Sequence, residues 1–189
     1  MIRIFTSTFI VLAAMAATAQ EGSGTAERPD TEGQKTHFWR LELSGGPGVY
    51  SGKAHRSGDW MTKVTVEYET PMTERLTLGL RLLPALLYEQ DGRGEETVWG
   101  GGAGVAARLY AKPEGYRGLF GEASGHLVVH KHQIEGNTSN LNFLTGLGLG
   151  YQFGNDLSAV IRWEHLSNAH LGHHNQGANM ITAGIGIRF

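Results

Sequence analysis

The chain has 189 residues, a formal net charge of −2 and no cysteine. A balance this close to neutral gives no electrostatic footprint for nucleic acid, and without cysteine nothing can be cross-linked by disulfides, so stability must come from architecture. The 28 glycines, many inside apolar stretches, disfavour helices and suit a strongly curved sheet.

In chain order, the first segment is "MIRIFTSTFIVLAAMAATAQ". Arg3 supplies a positive start, Ile4 to Ala16 an apolar run, and Ala17-Thr18-Ala19 a small-x-small cleavage site. This predicts a secretory signal peptide over 1–19 and a mature chain from Gln20. The apolar run is too short to span a bilayer comfortably as a helix. Residues 20–36 are polar, with Gly, Ser, Pro and mixed charge, and predict a flexible N-terminal segment. Residues 37–189 are the right size for one domain.

From Phe38 onward, apolar residues recur at every second position, the signature of strands with one apolar face. In "FWRLELS", Trp39, Leu41 and Leu43 oppose Arg40, Glu42 and Ser44. In "KVTVEYE", Val64, Val66 and Tyr68 oppose Lys63, Thr65, Glu67 and Glu69. "RLTLGLRLL" sets Leu76, Leu78, Leu80 and Leu82 against Thr77, Gly79 and Arg81. "GVAARLY" sets Val105, Ala107 and Leu109 against Ala106, Arg108 and Tyr110. "LFGEASGHLVV" is weaker, and "LNFLTGLGLGYQF", "LSAVIRWEHLS" and "NMITAGIGIRF" complete eight candidate strands.

The links alternate in length. Gly45–Asp59, Pro84–Thr97, Lys131–Ser139 and Asn168–Gly177 are longer; Thr70–Thr73, Lys112–Arg117 and Gly154–Asp156 are shorter. Short turns on one side and longer loops on the other, with an even strand number, predict an all-β fold. The expected form is an eight-stranded antiparallel transmembrane β-barrel of the outer-membrane type, with short periplasmic turns and longer extracellular loops. A closed barrel also leaves no unpaired edge in lipid. Alternation alone does not say which face points inward, and a soluble periplasmic lipid-binding barrel of the lipocalin kind would invert the faces. The set Arg40, Glu42, Arg81, Arg108, Glu122, Arg162 and Glu164 suits a narrow lumen filled by paired charges.

On the membrane-barrel reading, "RWEHLSNA" places His165 and Ser167 on the same parity as Leu157, Ala159, Ile161 and Trp163, facing lipid at the loop end of the seventh strand. Asn179 continues the apolar parity of the eighth. Because these strands form a hairpin, the three polar residues lie close together on the outer wall, where unpartnered polar groups are costly. At the membrane interface they need no special role, and His-x-Ser alone is a weak motif. A working serine esterase needs a base beside the serine, a group orienting that base, and donors for the oxyanion.

"EHLSNA", followed by "NQGANMITAGIGIRF", resembles the C-terminal hairpin of the lipid A 3-O-deacylases (PagL). The motif covers about the last 30 residues, while the strand layout and signal segment extend the likeness over the chain. The resemblance implies an outer-membrane esterase that removes the ester-linked 3-O-acyl chain from lipid A of lipopolysaccharide in the outer leaflet, with no cofactor. Ser167 would be the nucleophile and His165 its base, Asn168 or Asn175 would hold the oxyanion, and Phe143 matches a hydrophobic position beside the site. The family's acidic third member falls on Asn179. No Asp or Glu follows Glu164, and Glu164 itself has the inward parity. A non-catalytic structural barrel therefore remains an alternative.

The segment "NAHLGHHNQGAN" adds His170, His173 and His174. Their spacing is not that of a zinc site and no carboxylate is near, so no metal is expected.

Overall fold

A computed structural model describes residues 37–49, 56–91, 97–113 and 115–189. The expected signal peptide (1–19) and flexible segment (20–36) lie outside them. The described chain forms eight strands: β1 (Phe38–Val49), β2 (Trp60–Pro71), β3 (Leu76–Glu89), β4 (Val98–Tyr110), β5 (Gly118–Lys131), β6 (Leu141–Gln152), β7 (Leu157–Ser167) and β8 (Ala178–Arg188). Each is antiparallel to the next, and β8 pairs with β1 to close the barrel. Following register partners from Ser167 through Phe143, Leu127, Ala103, Leu82, Val66, Leu41 and Ile187 leads back to β7 at Leu157, ten residues from the start. That stagger over eight strands corresponds to a tilt of roughly 40°.

The faces are assigned by burial. Leu78, Leu80, Leu82, Val105, Leu147, Leu149, Ile161 and Ile185 are exposed on the outer wall, whereas the charged set lies in the lumen. Aromatic rings flank this aliphatic band. Trp39, Tyr68, Tyr151 and Phe153 gather at the short-turn end, and Trp99, Phe143 and Trp163 stand toward the loop end. This is the girdle pattern of an outer-membrane barrel.

The lumen is filled, not open. Phe38, Tyr110, Tyr116, Phe120 and Val160 pack at the turn end. Met61, Leu83, Leu86, Tyr88, Val128, Ile134, Leu144, Leu166 and Met180 belong to a second apolar cluster toward the loops. Between them sits an ion network. Arg162 bonds Glu42 at 2.6 Å and Glu122 at 2.7 Å, and Arg81 bonds Glu67 at 3.0 Å and Glu122 at 2.7 Å. Arg108 reaches Glu67, Glu69 and Glu122, Arg40 pairs with Glu69, and Lys63 pairs with Glu164. Buried charges persist only with such compensation. Gly79 gives the network room, since a Cβ there would lie 1.8 Å from Glu67 Oε1.

Several strands outrun the alternating segments read from sequence. β1 continues through Gly45–Val49, β3 through Pro84 to Glu89, and β4 begins at Val98, so the two longest links are shorter than expected. Pro84 escaped the strand pattern because it sits at a bulge, where the β3–β4 register shifts between Leu83 and Leu86. Gly100 and Gly102 escaped it because the β4 backbone runs close against β5. Added Cβ atoms would meet Val129 O and Leu127 O at 2.2 and 2.1 Å.

Glu122 touches three guanidinium groups. Glu122→Leu is expected to destabilise the folded barrel by about 3–5 kcal/mol, because it leaves buried cations undercompensated. The measurement is the loss of the compact band in heat-modifiable gel mobility against urea.

Candidate active site on the outer wall

The site is assembled by β6, β7 and β8 at their loop ends. Ser167 closes β7 and pairs with Phe143 on β6. His165, two residues earlier on the same face, pairs with Thr145 on one side and Asn179 on the other. Register thus brings His165, Ser167, Asn179 and Phe143 together on the outer wall, level with the loop-end aromatic belt. His165, Ser167 and Asn179 are each partly exposed.

The imidazole is held on several sides. His165 Nδ1 lies 2.7 Å from Asn179 Oδ1. An amide oxygen can only accept, so Nδ1 carries the proton and Nε2 is the basic nitrogen. The Trp163 ring stacks on the imidazole, with centroids 6.2 Å apart and planes 17° apart. Gly177 abuts its edge, where a Cβ would stand 2.6 Å from Cε1. Ser167 stands two residues along the strand, roughly 7 Å away at Cα.

The β7–β8 loop (168–177) turns directly after Ser167. Ala169 and His170 both have positive φ, 50° and 65°. Asn168 supports this turn, because its Oδ1 accepts the His170 N–H at 2.9 Å. Asn168 is fully buried, and its Nδ2 donates to Asn137 Oδ1 and to the His174 carbonyl. Its backbone N–H donates to Asn175 Oδ1 at 2.9 Å. Of the two expected oxyanion residues, Asn168 thus spends its side chain inward, while Asn175 is partly exposed and its Nδ2 is uncommitted among the described residues. The side chains of His170, His173 and His174 are exposed. His174 works through its backbone, which bonds Thr138 and Asn168.

Glu164 points into the lumen and is fully buried, bonded to Lys63 and Thr182. The imidazole's partner is an amide, with the nearest carboxylate in sequence committed elsewhere.

Some residues around the site escaped sequence reasoning. Arg56, 1% exposed, donates to the carbonyls of Glu135 and Gln176 and ties two loops together. Asn137 and Asn142 are buried beneath the β7–β8 loop. The signal for them was "GNTSNLN", an asparagine-rich run whose last Asn occupies the lumen parity of β6.

Fold and site together define an outer-membrane β-barrel with a polar constellation on its lipid-facing wall. The family model for lipid A 3-O-deacylase (PagL) matches residues 60–188, and the chain belongs to that family. The crystal structure of the outer-membrane enzyme PagL is similar, with a TM-score of 0.55 and 19% identity over 78% of this chain and 98% of that one. Neisserial surface protein A (NspA) shares the fold, with a TM-score of 0.53 and 10% identity over 84% of this chain and all of that one. No curated protein matches the sequence.

The Nδ1–H···Oδ1 bond has a spectroscopic consequence. Nitrogen NMR of labelled histidine is expected to show the neutral His165 ring as the tautomer with its proton on Nδ1 and Nε2 bare. In Asn179→Leu the two tautomers should mix, and an unchanged spectrum would mean that Asn179 does not set the tautomer.

Proposed function

We propose that this barrel is a lipid A deacylase whose serine works from the outer wall, within the outer leaflet. His165 Nε2 takes the proton from Ser167 Oγ as the serine attacks the carbonyl carbon of the 3-O-acyl ester. Asn175 Nδ2 is the donor for the oxyanion, and Phe143 borders the acyl chain. The imidazolium returns its proton to the departing sugar oxygen, leaving a free 3-hydroxyl and an acyl-serine. Water, activated by the same nitrogen, then releases the fatty acid and restores Ser167. No metal or other cofactor enters the reaction.

The observation that carries this reading is the His165–Asn179 hydrogen bond beside Ser167. A membrane wall exposes a bonded polar pair at a cost, and in a chain of this family the cost is met by function. The amide in place of an acid supports a second reading, a slow or non-catalytic barrel. An amide oxygen orients the ring but does not stabilise imidazolium as a carboxylate does, and the Asp-to-Asn change in a serine triad costs on the order of 10⁴ in rate.

Mass spectrometry of lipid A from cells expressing each variant separates the two. Wild type is expected to remove one hydroxyacyl chain and Ser167→Ala none; matching profiles would sink the esterase reading. Asn179→Glu is expected to raise kcat by one or more orders of magnitude, with about 10⁴ as the ceiling. No gain would show that a group other than Asn179 governs His165.

A further inference from the structure

Beneath the loop that follows Ser167 runs a chain of buried amides that touches neither His165 nor Ser167. Asn168 Nδ2 donates to Asn137 Oδ1 at 2.8 Å. Asn137 Nδ2 donates to Asn142 Oδ1 at 2.6 Å. Asn142 Nδ2 meets His130 Nε2 at 2.5 Å, and His130 Nδ1 in turn bonds the His132 carbonyl at 2.9 Å. All four side chains are at most 5% exposed.

Every amide in this chain is oriented by a backbone group, so its direction is determined. The Ser139 N–H donates to Asn137 Oδ1 at 3.0 Å, and the Ser139 carbonyl accepts from Asn142 Nδ2 at 3.1 Å. The His174 carbonyl and the His170 N–H fix the two ends of the Asn168 amide. The backbone N–H of this anchored residue donates to Asn175 Oδ1 at 2.9 Å. With that oxygen engaged, Nδ2 of Asn175 is the part of the amide left to donate to a ligand. The β5–β6 loop reinforces the arrangement through backbone bonds from Gln176 N to Gly136 O and from Thr138 N to His174 O.

From this geometry, and resting on the esterase reading above, we infer that Asn137 and Asn142 are positioning residues: through Asn168 they aim the Asn175 amide at the oxyanion. Neither touches the reacting atoms. A side chain held within a fraction of an ångström contributes in the transition state, so loosening it lowers kcat and leaves ground-state binding largely alone. The barrel itself does not depend on the relay. Ile134, Leu166 and Ala178 anchor both loops in the apolar cluster, and Arg56 ties Glu135 to Gln176 independently.

The test uses Asn137→Ala, Asn142→Leu and Asn142→Asp in the full barrel, refolded in detergent. Steady-state release of fatty acid from purified lipopolysaccharide is read alongside amide hydrogen exchange over residues 168–177. Asn142→Asp keeps the acceptor for Asn137 Nδ2 but loses the donor that meets the Ser139 carbonyl and His130 Nε2. Asn137→Ala and Asn142→Leu are expected to lower kcat about 10- to 100-fold with KM within about threefold, and to speed exchange in the loop. Asn142→Asp, which keeps the bond to Asn137, should lose several-fold less kcat than Asn142→Leu and show a smaller rise in exchange. Unchanged kcat in the first two variants, or a loss that Asn142→Asp shares fully, would overturn the inference. Should wild type release no fatty acid, the esterase reading fails by itself. The exchange data then decide the relay: faster exchange in Asn137→Ala and Asn142→Leu, smaller in Asn142→Asp, supports it, and identical exchange in all variants refutes it.

Discussion

The hydrogen-bond register of β7 against its neighbours is the constraint on which the site depends. His165 faces Asn179 only while Glu164 faces Met180 and Arg162 faces Thr182. The inward residues of β7 are pinned by charge, Arg162 to Glu42 and Glu122, and Glu164 to Lys63 and Thr182. A slip of one residue would exchange the two faces of the strand. It would put Arg162 and Glu164 into hydrocarbon, at up to about 2–4 kcal/mol for an arginine near the midplane, and would strand their former partners in the lumen. The ion network therefore does more than fill space. It selects the register that turns a histidine and a serine outward at the aromatic belt.

Much of this was legible in the sequence because a barrel repeats one rule, alternation, eight times. The parity of "LSAVIRWEHLS" and "NMITAGIGIRF" was enough to place His165, Ser167 and Asn179 on one wall, and the hairpin to bring them together. Parity failed where the backbone departs from a plain ladder, as at the Pro84 bulge and the close approach of Gly100 and Gly102 to β5. It also says nothing of loops. Asn168 and Asn175 read alike as amides near the serine. Their different commitments, one buried and fully bonded and the other holding a free donor, follow from contacts with a loop about thirty residues away in sequence. Such contacts have no period to read.

The histidine's surroundings divide into parts with different physical jobs. Asn179 sets the tautomer, Trp163 limits the tilt of the ring, and Gly177 leaves space for its edge. Each acts over a few ångströms and lies on or beside the β7–β8 hairpin. The Asn175 side is built differently. Asn175 sits on a loop, and a loop gains precision only from what it is bonded to. Here the support comes from the β5–β6 loop and from buried amides whose other end reaches His130 on β5. Ser167 and His165 are thus placed by strands, and Asn175 by packing across the top of the barrel.

The amide at position 179 fits this setting in one further respect. A carboxylate on the lipid-facing wall must be kept charged at the edge of hydrocarbon, where desolvation opposes ionisation. The ion pairs that solve that problem in the lumen have no counterpart at His165, whose bonded partner is neutral. Asparagine keeps the hydrogen bond and the tautomer while avoiding the cost of a half-desolvated anion. What it gives up is the attraction that a negative charge exerts on imidazolium, which counts only in the proton transfer proposed above. The substitution therefore weighs a standing stability term against a transition-state term, and a barrel whose outer wall must tolerate lipid at all times feels the first continuously.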